Sequence, residues 1–372
     1  MKFQIDRAVL LRALSHIQNV VERRNTIPIL ANVKIDADKQ AVTFTATDMD
    51  IALVEQIPAK VKDAGTTTMP AHMLYDIVRK MPEGSEVEIS TDAAGGRAEI
   101  KAASSRFTLS CLPASDFPVM AEGEFSHQFT LGGEECRDLI EKTRFAVSTE
   151  ETRYYLNGIY LHAAQSEGIP VLRSVATDGH RLARSEVAIP SGADGMPSII
   201  IPRKTVSELK RLLDDHPTDV QISVSDTKIR IQSGQVVLVS KLIDGTFPDY
   251  ERVIPANNNR LLELDGKRFS QAVDRVSTVS SDKSRAVKIL LSNGSLELKA
   301  DNQEAGQATE NMDVKYSSEP IEVGFNSRYL LEMMSQVESE TVQFFMGDAS
   351  APALVRDPAN VGALYVIMPM RI

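Results

Sequence analysis

A chain of 372 residues has room for two or three domains, and 42% apolar residues can give each of them a core. No run reaches the roughly 18 consecutive apolar residues of a membrane helix, and the opening Met1-Lys2-Phe3-Gln4-Ile5-Asp6 meets an acid too early for a secretory signal. Two isolated cysteines, Cys111 and Cys136, exclude a disulfide scaffold and a Cys-x-x-Cys zinc site and fit a reducing cytoplasm; the formal net charge of −10 argues against nucleic acid unless charge is unevenly spread.

Asp6 is the expected N-cap of a first helix, with Val9, Leu10, Ala13, Leu14 and Ile17 on its apolar face and Arg12, Ser15 and Asn19 opposite. Alternation over 41–46 predicts a half-buried strand that ends in the acidic turn Ala46-Thr47-Asp48. Met69-Pro70 opens a second helix, where Leu74, Ile77, Val78 and Met81 oppose His72, Asp76 and Arg79. Strands at 87–90 and 106–110 follow, with a hairpin turn at Gly95-Gly96. The order then begins again. Cys136, Leu139 and Ile140 oppose Arg137, Glu141 and Arg144; the turn returns as Ala176-Thr177-Asp178; after Ile201-Pro202, Val206, Leu209 and Leu213 oppose Lys204, Ser207 and Arg211; strands are expected at 220–224 and 228–231. A third round pairs Phe269, Ala272, Val273 and Val276 with Arg268, Gln271 and Arg275, and has a hairpin at Asn293-Gly294 and the turn at Ala300-Asp301-Asn302. It ends with Gly324-Phe325 before a helix whose Leu330, Met333 and Met334 oppose Arg328, Glu332 and Ser335.

The period is about 125 residues, the size of a self-sufficient domain rather than of a solenoid repeat. A late motif, Leu112 to Pro118, also returns as Leu242 to Pro248. The expected fold class is α+β: three tandem copies of a two-helix plus antiparallel-sheet domain, at 1–125, 126–255 and 256–372. Across the chain 51 acids outnumber 41 bases, yet the helix faces carry nine bases (Arg12, Arg79, Arg137, Arg144, Lys204, Arg211, Arg268, Arg275, Arg328) against three acids (Asp76, Glu141, Glu332). One such face is an ordinary solvated surface; nine bases against three acids over six helices predict a shared basic one.

Chemistry is sparse. Neither a phosphate-binding Gly-Lys loop nor a Gly-x-Gly-x-x-Gly fingerprint occurs, and no nucleotide cofactor or metal is expected. Thr177-Asp178-Gly179-His180-Arg181-Leu182 has the ingredients for acid–base work, and a hydrolase or transferase using Asp178, His180 and Arg181 is the enzymatic alternative. No nucleophile elbow accompanies it, and it occupies a turn whose first copy lacks His and Arg, so a structural or binding role is favoured. Glu150-Glu151 and Asp214-Asp215 are weak metal candidates. The ending Tyr365-Val366-Ile367-Met368-Pro369-Met370-Arg371-Ile372 is apolar where chain ends are usually polar, so it is expected to be docked, as a final core strand or as part of a peptide groove.

Met1-Lys2-Phe3, Ile27-Pro28-Ile29-Leu30, Arg153-Tyr154-Tyr155-Leu156-Asn157-Gly158, Ala176 to Leu182, Phe247-Pro248-Asp249-Tyr250 and Tyr365 to Ile372 together make the whole chain resemble the bacterial sliding clamps, the beta subunits of DNA polymerase III. That resemblance implies a DNA clamp fold, two chains joined head to tail in a dimeric ring of six domains, with the helices lining a hole around duplex DNA. It implies a cytoplasmic, non-catalytic processivity factor. Its partners would be double-stranded DNA read without sequence preference, a second copy, the polymerase III catalytic subunit, the clamp loader, and other polymerases and repair proteins that carry clamp-binding peptides. Carried over, the pocket for those Gln- and Leu-containing peptides falls on Leu156, Thr177, Gly179, His180, Arg181, Leu182, Pro248, Arg252, Val253, Val366, Met368, Pro369, Met370 and Arg371. DNA contacts fall on Arg24, Arg79, Tyr154, Tyr155 and Lys204; His72 and Glu150 replace an arginine and a glutamine of the family pattern and weaken phosphate attraction there. The ring interface would join Phe107 and Leu109 to Thr278 and Val279, Thr278 being more polar than the family's aliphatic residue. A monomeric scaffold using the same pocket is the remaining alternative.

Overall fold

The computed structural model describes residues 1–92, 94–120, 123–215, 218–281 and 285–371, so Ile372 of the expected docked ending lies outside the described residues. Among the described residues six α-helices form: α1 (Arg7–Val20), α2 (Ala71–Lys80), α3 (Gly133–Arg144), α4 (Arg203–Asp215), α5 (Gly266–Ser277) and α6 (Ser327–Met334). None is long and apolar enough to cross a membrane.

Local chemistry accounts for where the helices start. The Asp6 carboxylate accepts from the backbone N–H of Ala8 at 2.8 Å and Val9 at 3.1 Å, so it caps α1 as expected. Asp265 does the same for α5 through Arg268 N–H at 2.8 Å, and Asn326 for α6. Pro70 and Pro202 close the strands that lead into α2 and α4, and Gly324-Phe325 likewise lies in the strand Ile321–Asn326 before α6. The predicted apolar faces go inward: Leu10, Ala13, Leu14 and Ile17 in α1, and Phe269, Ala272, Val273 and Val276 in α5, are all buried. The predicted strands form as well, with hairpin turns at Gly95 and at Asn293-Gly294.

The acidic turn is one structure in its first two copies, and the third keeps only the side-chain acceptor. In its first copy Thr47 Oγ1 donates to the Ile51 carbonyl at 2.9 Å, and Asp48 Oδ1 accepts from Asp50 and Ile51 N–H at 2.9 and 2.8 Å. In the second, Thr177 Oγ1 donates to the Arg181 carbonyl at 2.7 Å, and Asp178 Oδ1 accepts from His180 and Arg181 N–H at 2.9 and 3.0 Å. The intervening residue is left-handed in both, Met49 at φ 79° and Gly179 at φ 86°, and only the second copy uses the residue that adopts this conformation without strain. In the third, Asn302 Oδ1 accepts from Glu304 and Ala305 N–H.

The chain packs as two compact units that do not follow the repeat. The first comprises Met1–Cys136, Pro190–Pro197 and Lys204–Leu242; the second comprises Arg137–Ile189, Ser198–Arg203 and Ile243–Ile372. Backbone pairing is the cause. In the first unit, strand Ile51–Pro58 of the first repeat pairs antiparallel with Val236–Lys241 of the central one, inside an eight-stranded sheet. In the second unit, Arg181–Ala188 of the central repeat pairs antiparallel with Asn360–Ile367 of the third, inside a nine-stranded sheet. The first unit also holds a five-stranded sheet that ends in Ser105–Ser110, and the second a four-stranded sheet that ends in Gly306–Asp313. Cys136 is buried and its thiol pushed up to about 12 by desolvation; Cys111 is half-buried.

Candidate functional site

The second unit carries most of the predicted pocket. Leu156, Leu182 and Val366 are 4%, 2% and 1% exposed and share one apolar cluster with Val175, Ile200, Phe247, Tyr250, Leu354 and Leu364. They are a floor rather than a wall. Tyr155, Ile254 and Phe345 pack against it half-buried, while Pro248, Val253 (45% exposed) and Met368 (39% exposed), each next in sequence or nearly so to a member of this group, reach solvent. Arg252 is exposed and paired with Asp249 at 2.6 Å. The Met368 N–H donates to the His180 carbonyl at 2.9 Å, which ties the chain's ending to the acidic turn.

Two groups of predicted residues go elsewhere. Side chains alternate along a strand, so Arg181 points to the face opposite Leu182. There its guanidinium donates to Asp178 at 3.1 Å, to Glu332 and to the Phe145 carbonyl at 2.6 Å, and lies 4.3 Å from the Tyr329 ring centre and 5.1 Å from that of Phe145. His180 stacks on Tyr329. This helix-side cavity of about 560 Å³ is also lined by Arg144, Glu150 and Arg328. Pro369, Met370 and Arg371 line a different cavity, about 330 Å³, with Lys288, Glu322 and Gly324, where Met370 N–H donates to the Gly324 carbonyl. Sequence reasoning missed Tyr329 and Phe145 as partners of Arg181, because ring stacking across strand and helix leaves no local pattern.

This geometry removes the enzymatic alternative. Asp178 spends one oxygen on backbone N–H groups and the other on Arg181, so it orients a turn and not an imidazole. The two acidic pairs are also occupied: Glu150 holds Arg153 at 2.7 Å, and Asp215 holds His16 at 2.8 Å. Among the described residues no group of three His, Cys, Asp or Glu side chains is placed to hold a metal.

The basic helix faces are partly self-neutralised. Arg79 pairs with Asp76 at 3.2 Å, Arg144 with Glu141 at 2.8 Å, Arg275 with Glu310 and Arg328 with Glu332. Lys204 is the extreme case: it donates to Glu22, to Asp48 and to the Val20 carbonyl. Burial opposes its charge, but the Asp48 and Glu22 carboxylates outweigh burial and hold its pKa above the ordinary lysine range. Arg24 is exposed. Tyr154 is 54% exposed and edge-on to Tyr155 at 5.8 Å. His72 is half-buried, and its Nε2 bonds the Val21 carbonyl at 2.9 Å. Phe107 is 39% exposed on the edge strand Ser105–Ser110 and Leu109 is buried under it; Thr278 is exposed at the end of α5, and Val279 is half-buried.

Three family models match in order: the N-terminal domain of the DNA polymerase III beta subunit over residues 1–121, its central domain over 130–249 and its C-terminal domain over 251–371. The chain is 48% identical over 372 residues to the beta sliding clamp of Caulobacter vibrioides, with both chains covered in full. It is 38% identical over 373 residues to that of Pseudomonas aeruginosa, again with full coverage of both. Its fold superposes at TM-score 0.97 on a Bartonella birtlesii DnaN sliding clamp bound to griselimycin, at 49% identity and full coverage of both chains. The Caulobacter crescentus clamp gives TM-score 0.97 at 48% identity, covering 100% of this chain and 99% of that one. Three tandem clamp domains, all three family models and full-length identity to curated clamps place the chain in the beta sliding clamp family, the non-catalytic beta subunits of DNA polymerase III.

Proposed function

We propose that two copies of this chain close head to tail into a cytoplasmic ring of six domains, at 1–125, 126–255 and 256–372 in each copy, around duplex DNA. One observation carries this reading. Both repeat-to-repeat junctions inside the chain use equivalent strands: Ile51–Pro58 with Val236–Lys241, and Arg181–Ala188 with Asn360–Ile367. The corresponding strand of the third repeat, Gly306–Asp313, and that of the first, Ser105–Ser110, each lie at an open sheet edge. Such edges invite pairing. A second copy supplies each with the partner that the repeat prescribes, and a heterologous contact that closes is a ring.

In that ring Phe107 and Leu109 meet the partner near Thr278 and Val279. Arg24, Arg79, Tyr154, Tyr155 and Lys204 approach DNA; because contacts to phosphate carry no sequence information, the ring can slide. Two of these cations, Arg79 and Lys204, are held by carboxylates in the free chain, so phosphate competes with Asp76, Glu22 and Asp48, and affinity is weak and salt-sensitive. The apolar floor at Leu156, Leu182 and Val366, with Pro248, Arg252, Val253 and Met368 around it, takes Leu-containing peptides of the polymerase III catalytic subunit, the clamp loader and other polymerases and repair proteins. Thr177, Gly179, His180 and Arg181 shape the turn beside it, and Pro369, Met370 and Arg371 anchor the ending. Phe107→Asp puts a charge on the edge strand, so the variant is expected to sediment as a monomer at a concentration where the unaltered chain is a dimer. A variant that remains dimeric would overturn this interface.

A further inference from the structure

The nine-stranded sheet of the second unit shows two successive rows on one face. Strand register aligns Leu182, Val366, Leu354 and Phe345 across four strands, all apolar. Two residues along, on the same face, it aligns Arg184, Leu364 and Arg356. Beside the second row lies a cavity of about 440 Å³ walled by Arg184, Arg356, Glu251, Ile254, Phe345 and Leu354. Leu354 belongs to the same apolar cluster as Leu182 and Val366, and Ile254 and Phe345 pack on it, so the cavity continues the apolar site.

Its charge is unbalanced. The Arg184 Nε is buried and has no hydrogen-bond acceptor. The nearest carboxylate is Glu186 at 3.7 Å, and Glu186 is already spent, accepting from Arg173 Nε at 2.8 Å and from Ser166 Oγ at 2.6 Å. Glu251 accepts from Arg173 as well, at 3.0 Å. Arg356 is exposed, lies 5.8 Å from the Phe345 ring centre and has no ion pair among the described residues. Burial, with Arg173 and Arg356 nearby, weakens the hold of Arg184 on its proton. Two guanidinium groups line one cavity, neither with a close carboxylate of its own, and together they offer charge-assisted N–H donors to a bound carboxylate.

We propose that Arg184 and Arg356 form a carboxylate subsite, which takes an acidic side chain of the partner peptide whose apolar residues sit on the adjoining Leu182–Val366–Leu354 row. The inference rests on the peptide-site reading above. An acidic flank then binds preferentially although the chain as a whole carries a net charge of −10.

Fluorescence anisotropy with two labelled, C-terminally amidated peptides tests it. Both contain Gln and Leu; one is flanked on each side by Glu, the other by Gln. On the unaltered chain the Glu peptide is expected to bind about tenfold more tightly, the scale of one charge-assisted hydrogen bond. In the Arg184→Met, Arg356→Gln double variant the preference should vanish while the affinity of the Gln peptide holds. Because Arg356 is exposed, Arg356→Gln alone should keep the fold and lose part of the preference. Equal affinities on the unaltered chain, or a preference that survives both substitutions, would overturn the subsite and leave the peptide site standing. If neither peptide binds the unaltered chain, the peptide-site reading itself fails, and the subsite falls with it.

Discussion

Replacing His16 with alanine should destabilise the first unit by about 3–5 kcal/mol, read as a lower urea midpoint at pH 6. His16 is 3% exposed. Its Nδ1 lies 2.8 Å from Glu55 Oε2 and its Nε2 2.8 Å from Asp215 Oδ2. A neutral imidazole has one N–H and can satisfy only one of these carboxylates, so the arrangement calls for the imidazolium. Burial works against that charge, and hydrogen bonds and attraction from Glu55 and Asp215 prevail, leaving the His16 pKa raised. Glu208 of α4, itself pushed up by burial and paired with Arg211, and Lys204 complete the charged surroundings. A raised folded pKa means that the contribution is complete below the unfolded value near 6.5 and is lost as pH climbs through the folded one. The unaltered chain should therefore lose stability over that window, and His16→Ala should lack this imidazolium contribution. Alanine also leaves Glu55 buried without its partner, so His16→Leu with Glu55→Leu should recover much of the loss. Identical pH profiles for the unaltered chain and His16→Ala would sink the account.

The second large effect is expected at Arg181. Arg181→Ala removes a 7% exposed guanidinium from Asp178, Glu332, the Phe145 carbonyl and two aromatic faces at once. The cost should be about 3–5 kcal/mol in thermal or urea unfolding, because Asp178 loses its counter-ion and Glu332 keeps only Arg328. Lysine should restore little of it, since an ammonium cannot reproduce a planar fork with stacked faces. Peptide affinity should fall as well, indirectly, because the turn that carries Arg181 also presents the His180 carbonyl to Met368 N–H. A variant with unchanged stability and reduced peptide affinity would instead put Arg181 in direct contact with the ligand.

Much of this was legible in the chain's own periodicity. Apolar spacing located the helices, Asp6 announced its own cap, and three acidic turns revealed the repeat. The resemblance named Leu156, Leu182 and Val366 together although they are far apart in sequence. What the sequence hid were events between strands. The two-unit packing comes from backbone pairing of strand 51–58 with 236–241 and of 181–188 with 360–367, which no residue pattern marks. The side of the strand that Arg181 takes was available from alternation with Leu182, and the same rule puts Arg184 next to Leu182 on the pocket side. Counting bases on helix faces overstated their freedom, since carboxylates at three- and four-residue spacing, and Glu310 from a neighbouring strand, hold several of them. A lone histidine on an apolar helix face, as His16 is, looks like filler until Glu55 and Asp215 converge on it.

The central claim is topological, and the most direct measurement compares retention of the chain on nicked circular DNA before and after linearisation, following loading by a clamp loader with ATP. A closed ring should stay on the circle through a high-salt wash that strips phosphate contacts, and should run off the free ends once the same DNA is cut. Equal loss from circle and linear DNA would mean ordinary surface binding, and the ring assembled from strands 105–110 and 306–313 would have to be abandoned.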